Sequence, residues 1–368
     1  MGSNGSASDP RTGQTSWWAK RVGAGGRLRA VDPDPGRAGG RGARPSIDLT
    51  TRLGSLTLPN PVMTASGTAG HGAELAAYMD LASLGAVVVK SLSPEPWAGN
   101  PSPRVHPVAA GMLNSVGLQN AGVAAWLEEE LPPLAATGAR VVVSIWGHSA
   151  ADYGRAARAI AAGHLGSTGH PGAPAGSIVA VEANISCPNV EDRRRMFAHS
   201  CASTAAAVEE AARGLAGTGL PLWAKLSPNV TDITEIAAAA LEAGAAGLTL
   251  VNTLMGMAID PLTGRPRLGA GGGGLSGPAL HPVAVRATYD CRAAFPTAVI
   301  VGVGGIASGE DVAELLVAGA DAVQVGTATF ADPRAPVRVL SDFGGWCRDN
   351  GVISLDQLRG RAHDLQHR

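Results

Sequence analysis

The segment VIVGVGGIASGEDVAELLVAGADAVQVGT, Val299–Thr327, contains a complete strand–helix–strand unit. Apolar runs at its two ends flank an Ala-rich segment, Gly309–Ala318, which Ser308 precedes and Gly319 follows. Ser before a helix and Gly after it are common capping residues. The apolar runs are continuous instead of alternating, which is typical of strands that are covered on both faces in a parallel sheet.

The same alternation extends outward from this unit and begins near Ile47. Eight such units in roughly 300 residues favour an α/β fold of the (β/α)8 TIM-barrel type over a doubly wound sheet. The predicted strands are Pro61–Ala65, Ala86–Lys90, Arg140–Trp146, Ile178–Ile185, Pro221–Leu226, Gly247–Val251, Ala298–Gly302 and Ala322–Val325. The predicted helices are Ala73–Leu84, Ala150–Ala162, Cys201–Ala216, Ile233–Ala243, Pro278–Ala293 and Gly309–Ala318.

Residues 1–45 differ in composition from the rest of the chain. They are rich in Gly, Arg, Ser and Pro and lack apolar periodicity, so they cannot bury enough surface to offset the entropy lost on ordering. We predict a disordered Gly/Arg-rich extension, followed by one barrel domain over residues 46–368. Within that domain, Leu92–Gln119 is too long for a simple loop and is predicted to form an excursion over the barrel mouth.

The composition excludes several classes of protein. A formal net charge of -1 provides no field that would favour nucleic acid. No apolar run reaches the roughly 18 residues that a membrane-spanning helix needs. Four cysteines without close pairs argue against a disulfide framework and a zinc cluster, so we predict no metal site and expect a cytoplasmic protein.

Glycine-rich turns follow the last two predicted strands, at Gly304-Gly305 and at Gly326-Thr327. In barrels, the loops after strands 7 and 8 often bind phosphate through backbone N–H groups, and glycine lets the backbone approach the oxygens. A third glycine-rich stretch, Gly271–Gly277, precedes another predicted helix and could close the site from a further side. The alternative is that these are ordinary tight turns, but two of them at the expected barrel positions favour phosphate binding.

The opposite part of the predicted mouth is rich in amide side chains. Asn donates and accepts hydrogen bonds, which suits a planar ring with alternating C=O and N–H groups. Cys187, in VEANISCPN, is a candidate proton acceptor, since modest tuning brings a thiol into the range for general-base catalysis. The alternative for this residue is an inert buried cysteine. The candidate amides are Asn114, Asn184, Asn189 and Asn252.

Two lysines end otherwise apolar strands, Lys90 in VVVKS and Lys225 in LWAKLSPNV. A lysine in that position needs an anionic partner or solvent. A reduced flavin ring or a substrate carboxylate would provide that partner, and the alternative is a salt bridge to an acid such as Glu182.

These motifs together resemble a known family. The chain is similar to class 1 dihydroorotate dehydrogenases, most of all to class 1B, from about Leu49 to Leu358. Class 2 members are membrane-associated and carry Ser where Cys187 stands, which also favours class 1. The matching motifs are NPVMTASG (Asn60–Gly67), GNPSPRV (Gly99–Val105), GMLNSVGLQN (Gly111–Asn120), NISCPN (Asn184–Asn189), KLSPNVTDI (Lys225–Ile233), GLTLVNTL (Gly247–Leu254), GLSGPA (Gly274–Ala279) and VGGI (Val303–Ile306).

The resemblance implies an enzyme that oxidises (S)-dihydroorotate to orotate in pyrimidine (UMP) biosynthesis, with FMN across the barrel mouth. Cys187 and Lys90 are the implied catalytic residues, with Cys187 removing the C5 proton while C6 passes hydride to the flavin. The implied FMN contacts are Ala65, Ser66, Lys90, Lys225, Gly277, Gly304, Gly305, Gly326 and Thr327. The implied substrate contacts are Asn114, Asn184, Asn189, Asn252 and Thr253.

Class 1B members pair with a second subunit that carries FAD and an iron–sulfur cluster, whereas class 1A members use fumarate. The chain has no cysteine cluster for iron–sulfur binding, so the resemblance implies a separate electron-transfer subunit, and it also implies a homodimer. Two departures are an arginine-rich loop, VEDRRRMFAHS after Asn189, and Trp146, which is larger than the residue expected near the flavin. They leave open a related FMN barrel that acts on another dihydropyrimidine or a secondary-metabolite precursor. A flavin-binding protein without catalysis would not need a proton acceptor.

Overall fold

The computed structural model describes residues 47–166, 177–186 and 196–364. The predicted extension at 1–45 lies outside these residues, and the domain boundary at 46 stays a prediction. The strands of the described residues are β1 (Thr51–Leu53), β2 (Leu56–Leu58), β3 (Val62–Thr64), β4 (Val87–Val88), β5 (Val105–Val108), β6 (Gly111–Asn114), β7 (Val141–Ile145), β8 (Ile178–Asn184), β9 (Leu222–Lys225), β10 (Gly247–Leu250), β11 (Leu254–Gly256), β12 (Gly273–Ser276), β13 (Val299–Val303) and β14 (Ala322–Val325).

Eight parallel strands form one sheet, in the order β3–β14–β13–β10–β9–β8–β7–β4. The two ends of this order meet, because the Thr64 amide donates to the Ala86 carbonyl at 3.3 Å and the Gly85 amide donates to the Val62 carbonyl at 2.8 Å. All eight strands coincide with the predicted apolar runs, so the predicted (β/α)8 barrel is confirmed. Their side chains are almost all buried, as strands covered on both faces require.

Helices surround the barrel. The longer ones are α1 (Leu131–Ala136), α2 (Ala150–Gly166), α3 (Cys201–Gly214), α4 (Ile233–Glu242), α5 (His281–Ala294), α6 (Gly309–Ala318) and α7 (Ala335–Asp349). Shorter helical turns are Glu74–Ala77, Leu81–Ser83, Val123–Ala125, Trp126–Glu130, Phe197–His199, Pro278–Leu280, Ala328–Ala331, Leu355–Gln357 and Arg361–Asp364. Among these helices, none has the length and apolar character required to cross a bilayer.

The predicted helix Ala73–Leu84 is wrong. The structure has two separate 3₁₀ turns there, Glu74–Ala77 and Leu81–Ser83. Asp80 interrupts the helix, because its backbone is extended and its side chain accepts from the Ala82 amide at 3.0 Å. An Asp side chain that binds nearby backbone amides in this way competes with helical hydrogen bonding.

The two ends of the barrel are closed differently. At the amino ends of the strands, Leu53 and Leu58 of the β1–β2 hairpin pack with Met63 and Trp223 in a buried apolar cluster. At the carboxyl ends, the antiparallel sheet β11–β12–β6–β5 lies over the mouth and confirms the predicted excursion at Leu92–Gln119. The functional residues of such barrels lie at the carboxyl ends of the strands.

Candidate active site

A chain of hydroxyl groups runs across the carboxyl ends of neighbouring strands. The Ser66 and Ser91 hydroxyl oxygens lie 3.2 Å apart, and those of Ser91 and Ser144 lie 2.9 Å apart. Asn184 donates from Nδ2 to Ser91 Oγ at 3.0 Å. Ser66 and Asn184, which the sequence assigns to different ligands, are thereby linked through one serine.

The predicted amides Asn184 and Asn252 lie together at the mouth. Asn252 Nδ2 donates to Ser186 Oγ at 2.6 Å and to Asn184 Oδ1 at 3.2 Å, and the Ser186 hydroxyl donates to Asn184 Oδ1 at 2.9 Å. The Tyr153 hydroxyl donates to the Asn184 carbonyl at 2.9 Å. These contacts fix the side chains in one orientation before any ligand binds, which lowers the entropy cost of binding.

The sheet over the mouth brings Asn114 and Thr253 to the same region. Asn114 Nδ2 donates to the Gly274 carbonyl at 3.3 Å, and a Cβ on Gly274 would lie 2.0 Å from Thr253 Oγ1. Asn229 supports this arrangement, because its Nδ2 donates to the Thr253 carbonyl at 3.0 Å and its Oδ1 accepts from the Met255 amide at 2.8 Å. Glycine at 274 is therefore required by the close approach of Thr253.

Lys225 is the register partner of Asn184 on the neighbouring strand and is only 5% exposed. Its ammonium nitrogen is 3.7 Å from Glu182 Oε1, so the salt bridge that the sequence left as an alternative is present. The fully buried Glu182 also accepts from Thr249 Oγ1 at 3.0 Å and from Gln324 Nε2 at 2.7 Å. Among the described residues, the Lys225 ammonium group makes no hydrogen bond. Its donors therefore remain available to a ligand at the mouth.

Lys90 follows β4 and is half-buried, with its backbone amide donating to the Gly70 carbonyl at 3.0 Å. His71 lies close enough to Lys90 for the lysine charge to affect its pKa. Burial first, and the Lys90 charge second, lower the pKa of His71, whereas Glu74 and Glu130 oppose this shift. The ring of His71 is therefore biased towards its neutral form beside Lys90.

Three of the predicted phosphate residues, Gly277, Gly305 and Thr327, line one cavity of about 220 Å³ together with apolar residues such as Ile306, whereas Gly304 and Gly326 are outside its lining. Gly305 has φ +68°, and a Cβ there would lie 2.7 Å from His281 Cβ. No hydrogen bond within the described chain uses the amides of Gly305, Gly326 or Thr327. Most of Gly271–Gly277 is strand β12, so of the glycines in that stretch only Gly277 reaches the cavity wall.

Two predicted residues, Cys187 and Asn189, lie outside the described residues, as does the Arg193–Arg195 run. Their roles remain predictions. Trp146 is buried and packs edge-on against Trp97 and His148, with ring centroids 6.3 and 4.7 Å apart. Over the ranges that the structure describes, no group of His, Cys, Asp and Glu residues could hold a metal ion.

The supporting residues were mostly absent from the sequence interpretation. Ser91, Asn229 and Gln324 contact residues that lie at least 24 positions away in the chain, and their local sequence gives no sign of this. The one available signal was position, since Gln324 and Glu182 are polar residues within otherwise apolar strands. A buried polar residue in such a strand needs a partner.

The residues present fit a ligand that carries a phosphate group and an anionic ring. A cluster of backbone amides without acceptors is an anion site, and a buried lysine with unused donors suits an anionic ring. A closed (β/α)8 barrel with these two features at one mouth is typical of flavin-dependent barrel oxidoreductases.

Comparisons with known proteins agree with this class. The model of the dihydroorotate dehydrogenase family matches residues 48–344. The chain is 47% identical over 317 residues to a dihydroorotate dehydrogenase B (NAD(+)), catalytic subunit, of Desulforudis audaxviator, covering 86% of this chain and 98% of that protein. It is 45% identical over 312 residues to a Solibacter usitatus protein provisionally named dihydroorotate dehydrogenase A (fumarate), covering 85% and 97%.

A solved structure supports the fold. The dihydroorotate dehydrogenase of Eimeria tenella, in complex with ferulenol, has a TM-score of 0.68 at 22% identity, covering 86% of this chain and 89% of that one. The chain belongs to the dihydroorotate dehydrogenase family. Enzymes of this family depend on FMN, the cofactor that the mouth of the barrel fits.

Proposed function

We propose that the chain oxidises (S)-dihydroorotate to orotate for pyrimidine biosynthesis, as the FMN-containing catalytic subunit of a class 1B enzyme. The observation that carries this proposal is the hydrogen-bonded cluster of Asn184, Ser186 and Asn252 next to the buried Lys225. It supplies oriented donors and acceptors for a pyrimidine ring beside a charge suited to the flavin. The described cysteines, Cys201, Cys291 and Cys347, are free thiols, in keeping with our prediction of a cytoplasmic enzyme.

The two ligands divide the mouth between them. Substrate would be held by Asn114, Asn184, Asn189, Asn252 and Thr253, since each offers polar atoms that match the ring edge. FMN, when bound, accepts the hydride that leaves C6 of the substrate. The residues that would hold it are Ala65, Ser66, Lys90, Lys225, Gly277, Gly304, Gly305, Gly326 and Thr327.

Cys187 would take the C5 proton as the hydride leaves C6, so that substrate loses one proton and one hydride to become orotate. Replacing Cys187 with Ala should lower kcat by roughly 100- to 10,000-fold, the usual contribution of a general base. The variant should keep its yellow colour and FMN content. A Cys187→Ala variant with unchanged turnover would remove Cys187 from the mechanism.

Substrate preference separates this proposal from the related flavin barrels. Purified holoenzyme would be assayed with an artificial electron acceptor, using dihydroorotate and 5,6-dihydrouracil, which lacks the carboxylate. We expect a kcat/KM for dihydroorotate that is at least roughly 100-fold higher, since unmatched polar groups penalise the wrong ligand. A higher value for dihydrouracil would move the chain to a different substrate of the same fold.

The natural acceptor is proposed to be NAD, reached through an FAD and iron–sulfur subunit, and the chain is proposed to form a homodimer. The name of the Desulforudis relative supports the NAD-linked type, whereas the name of the Solibacter relative points to fumarate. Reduced enzyme would be mixed with fumarate alone. Absence of reoxidation by fumarate, with NAD reduction after addition of an electron-transfer subunit, is the expected result, and rapid reoxidation by fumarate would assign the A type.

A further inference from the structure

His281, the first residue of α5, contacts the proposed phosphate turn from outside the cavity. Its Nδ1 lies 2.8 Å from the Gly304 carbonyl oxygen, and its side chain is 12% exposed. A carbonyl oxygen can only accept, so Nδ1 carries a proton and donates a hydrogen bond to Gly304. None of the motifs that identify the family includes this residue.

The contact determines where the next amide points. The Gly304–Gly305 bond is not among the cis bonds of the chain, and in a trans peptide the C=O and N–H groups point in opposite directions. With the Gly304 carbonyl held against α5, the Gly305 N–H is turned to the other side. Gly305 lines the cavity, and its amide has no acceptor within the described residues.

His281 is itself held on its second nitrogen. Nε2 lies 3.2 Å from Glu314 Oε2 and 3.9 Å from Asp311 Oδ1, both on α6. Asp311 also accepts through Oδ2 from the Ala307 and Ser308 amides, each at 2.9 Å. The turn between β13 and α6 is therefore fixed at both of its ends, by His281 at Gly304 and by Asp311 at Ala307.

We propose that His281 is a positioning residue that locks the Gly304–Gly305 peptide so that its N–H faces the phosphate group of FMN. This inference rests on the phosphate site proposed above. Its consequence is specific to the phosphate: loss of the His281 contact frees the peptide to rotate and weakens one amide–phosphate hydrogen bond. The rest of the flavin is untouched, because its isoalloxazine ring would lie against residues of other strands.

The test is a competition between FMN and riboflavin, which lacks the phosphate, in the full-length holoenzyme. Displacement of bound FMN by riboflavin, followed by flavin fluorescence, gives the ratio of the two affinities. His281→Leu should lower the FMN preference roughly tenfold, the effect of losing one hydrogen bond to a charged group. His281→Asn keeps a donor near the Nδ1 position and should retain most of the preference, and Glu314→Gln should have an intermediate or smaller effect.

Three results would count against the proposal. An unchanged ratio in His281→Leu, with or without a general loss of flavin, would show a purely structural role for His281. An equal loss in His281→Leu and His281→Asn would show that donation to Gly304 is not what matters. A wild-type enzyme that binds riboflavin as tightly as FMN would overturn the phosphate site itself, and with it this inference.

Discussion

The two sides of the barrel mouth differ in the origin of their polar groups, which come from the backbone on one side and from side chains on the other. On the side formed by β13, β14 and the turn before α5, these groups are backbone amides, such as those of Gly305 and Gly326. On the side formed by β8, β9 and β10, they are side chains, led by Asn184, Lys225 and Asn252. The first side suits a phosphate, which needs many N–H groups at close range, and the second suits a ring with a defined pattern of donors and acceptors.

This difference determines how each side responds to substitution. A backbone site changes only when a Cβ blocks the approach of the ligand or when the turn loses its support. A side-chain site changes whenever one member is removed, because its neighbours then lose partners in a buried environment. The first three of the four predictions below use this contrast.

The largest effect is expected from Lys225→Met. The Glu182 carboxylate, which is fully buried, would lose its only ion-pair partner among the described residues. Breaking a buried pair from one side costs about 3–5 kcal/mol of unfolding free energy. Urea unfolding of FMN-free protein measures this loss without a contribution from the ligand. The Glu182→Gln/Lys225→Met double variant is the control and should recover most of the stability. A Lys225→Met variant as stable as wild type would show that the ion pair contributes nothing to the free energy of unfolding.

Gly326→Ala tests the backbone side. A Cβ at this position meets nothing closer than Ala65 Cβ at 3.4 Å, so the chain itself tolerates the methyl group. We expect little change in unfolding free energy but a roughly 10- to 100-fold loss of FMN affinity, the effect of weakening a charge-assisted hydrogen bond. In contrast, Gly305→Ala should reduce stability as well, since its φ is +68°. Unchanged FMN affinity in Gly326→Ala would move the phosphate away from this turn.

Asn252→Ala tests the side of the mouth formed by β8, β9 and β10, where the polar groups are side chains. It removes the donor to Ser186 Oγ and Asn184 Oδ1. The KM for dihydroorotate should rise roughly 10- to 100-fold, since the variant loses the proposed hydrogen bond to substrate and the donor that orients Ser186 and Asn184, a loss of about 1–3 kcal/mol. FMN affinity should not change. Asn350→Ala, at the exposed end of α7, is the matched control and should leave both quantities at their wild-type values.

The smallest effect concerns the pH dependence of stability from His71. Its folded-state pKa lies below the ordinary value of 6.5, because of burial first and the Lys90 charge second. The unfolded chain therefore binds a proton before the folded chain does as the pH falls. The stabilisation is complete above pH 6.5 and is lost as the pH falls from there towards the lower folded-state pKa. His71→Asn should flatten the stability–pH curve in that window, and an unchanged curve would contradict the shift.

The barrel could be predicted from the sequence because its signal is local. Each strand is a continuous apolar run, and caps such as Ser308 and Gly319 bound the helices. The failure at Ala73–Leu84 has a local cause too, since Asp80 forms a side-chain bond to the backbone that apolar periodicity does not reveal. The glycine-rich turns could be recognised because a phosphate site built from backbone amides requires glycine, which is visible in the sequence.

The side-chain half of the mouth was less accessible to sequence reasoning. Asn184, Lys225 and Asn252 could be selected because polar residues stand at the ends of apolar strands. Their supporting residues could not, because Ser91 contacts Asn184, and Gln324 contacts the Glu182 partner of Lys225, only after the barrel closes. The choice for Lys225 between Glu182 and a ligand also needed the three-dimensional structure, which provides the first partner and leaves donors for the second.

An anaerobic titration of the purified yellow protein with dihydroorotate, followed by the visible absorbance of oxidised flavin, tests the central claim most directly. The proposed function predicts rapid bleaching that an added electron acceptor reverses. A flavin that stays oxidised with excess dihydroorotate would contradict the proposed substrate, and a protein that cannot be loaded with FMN would contradict the site itself.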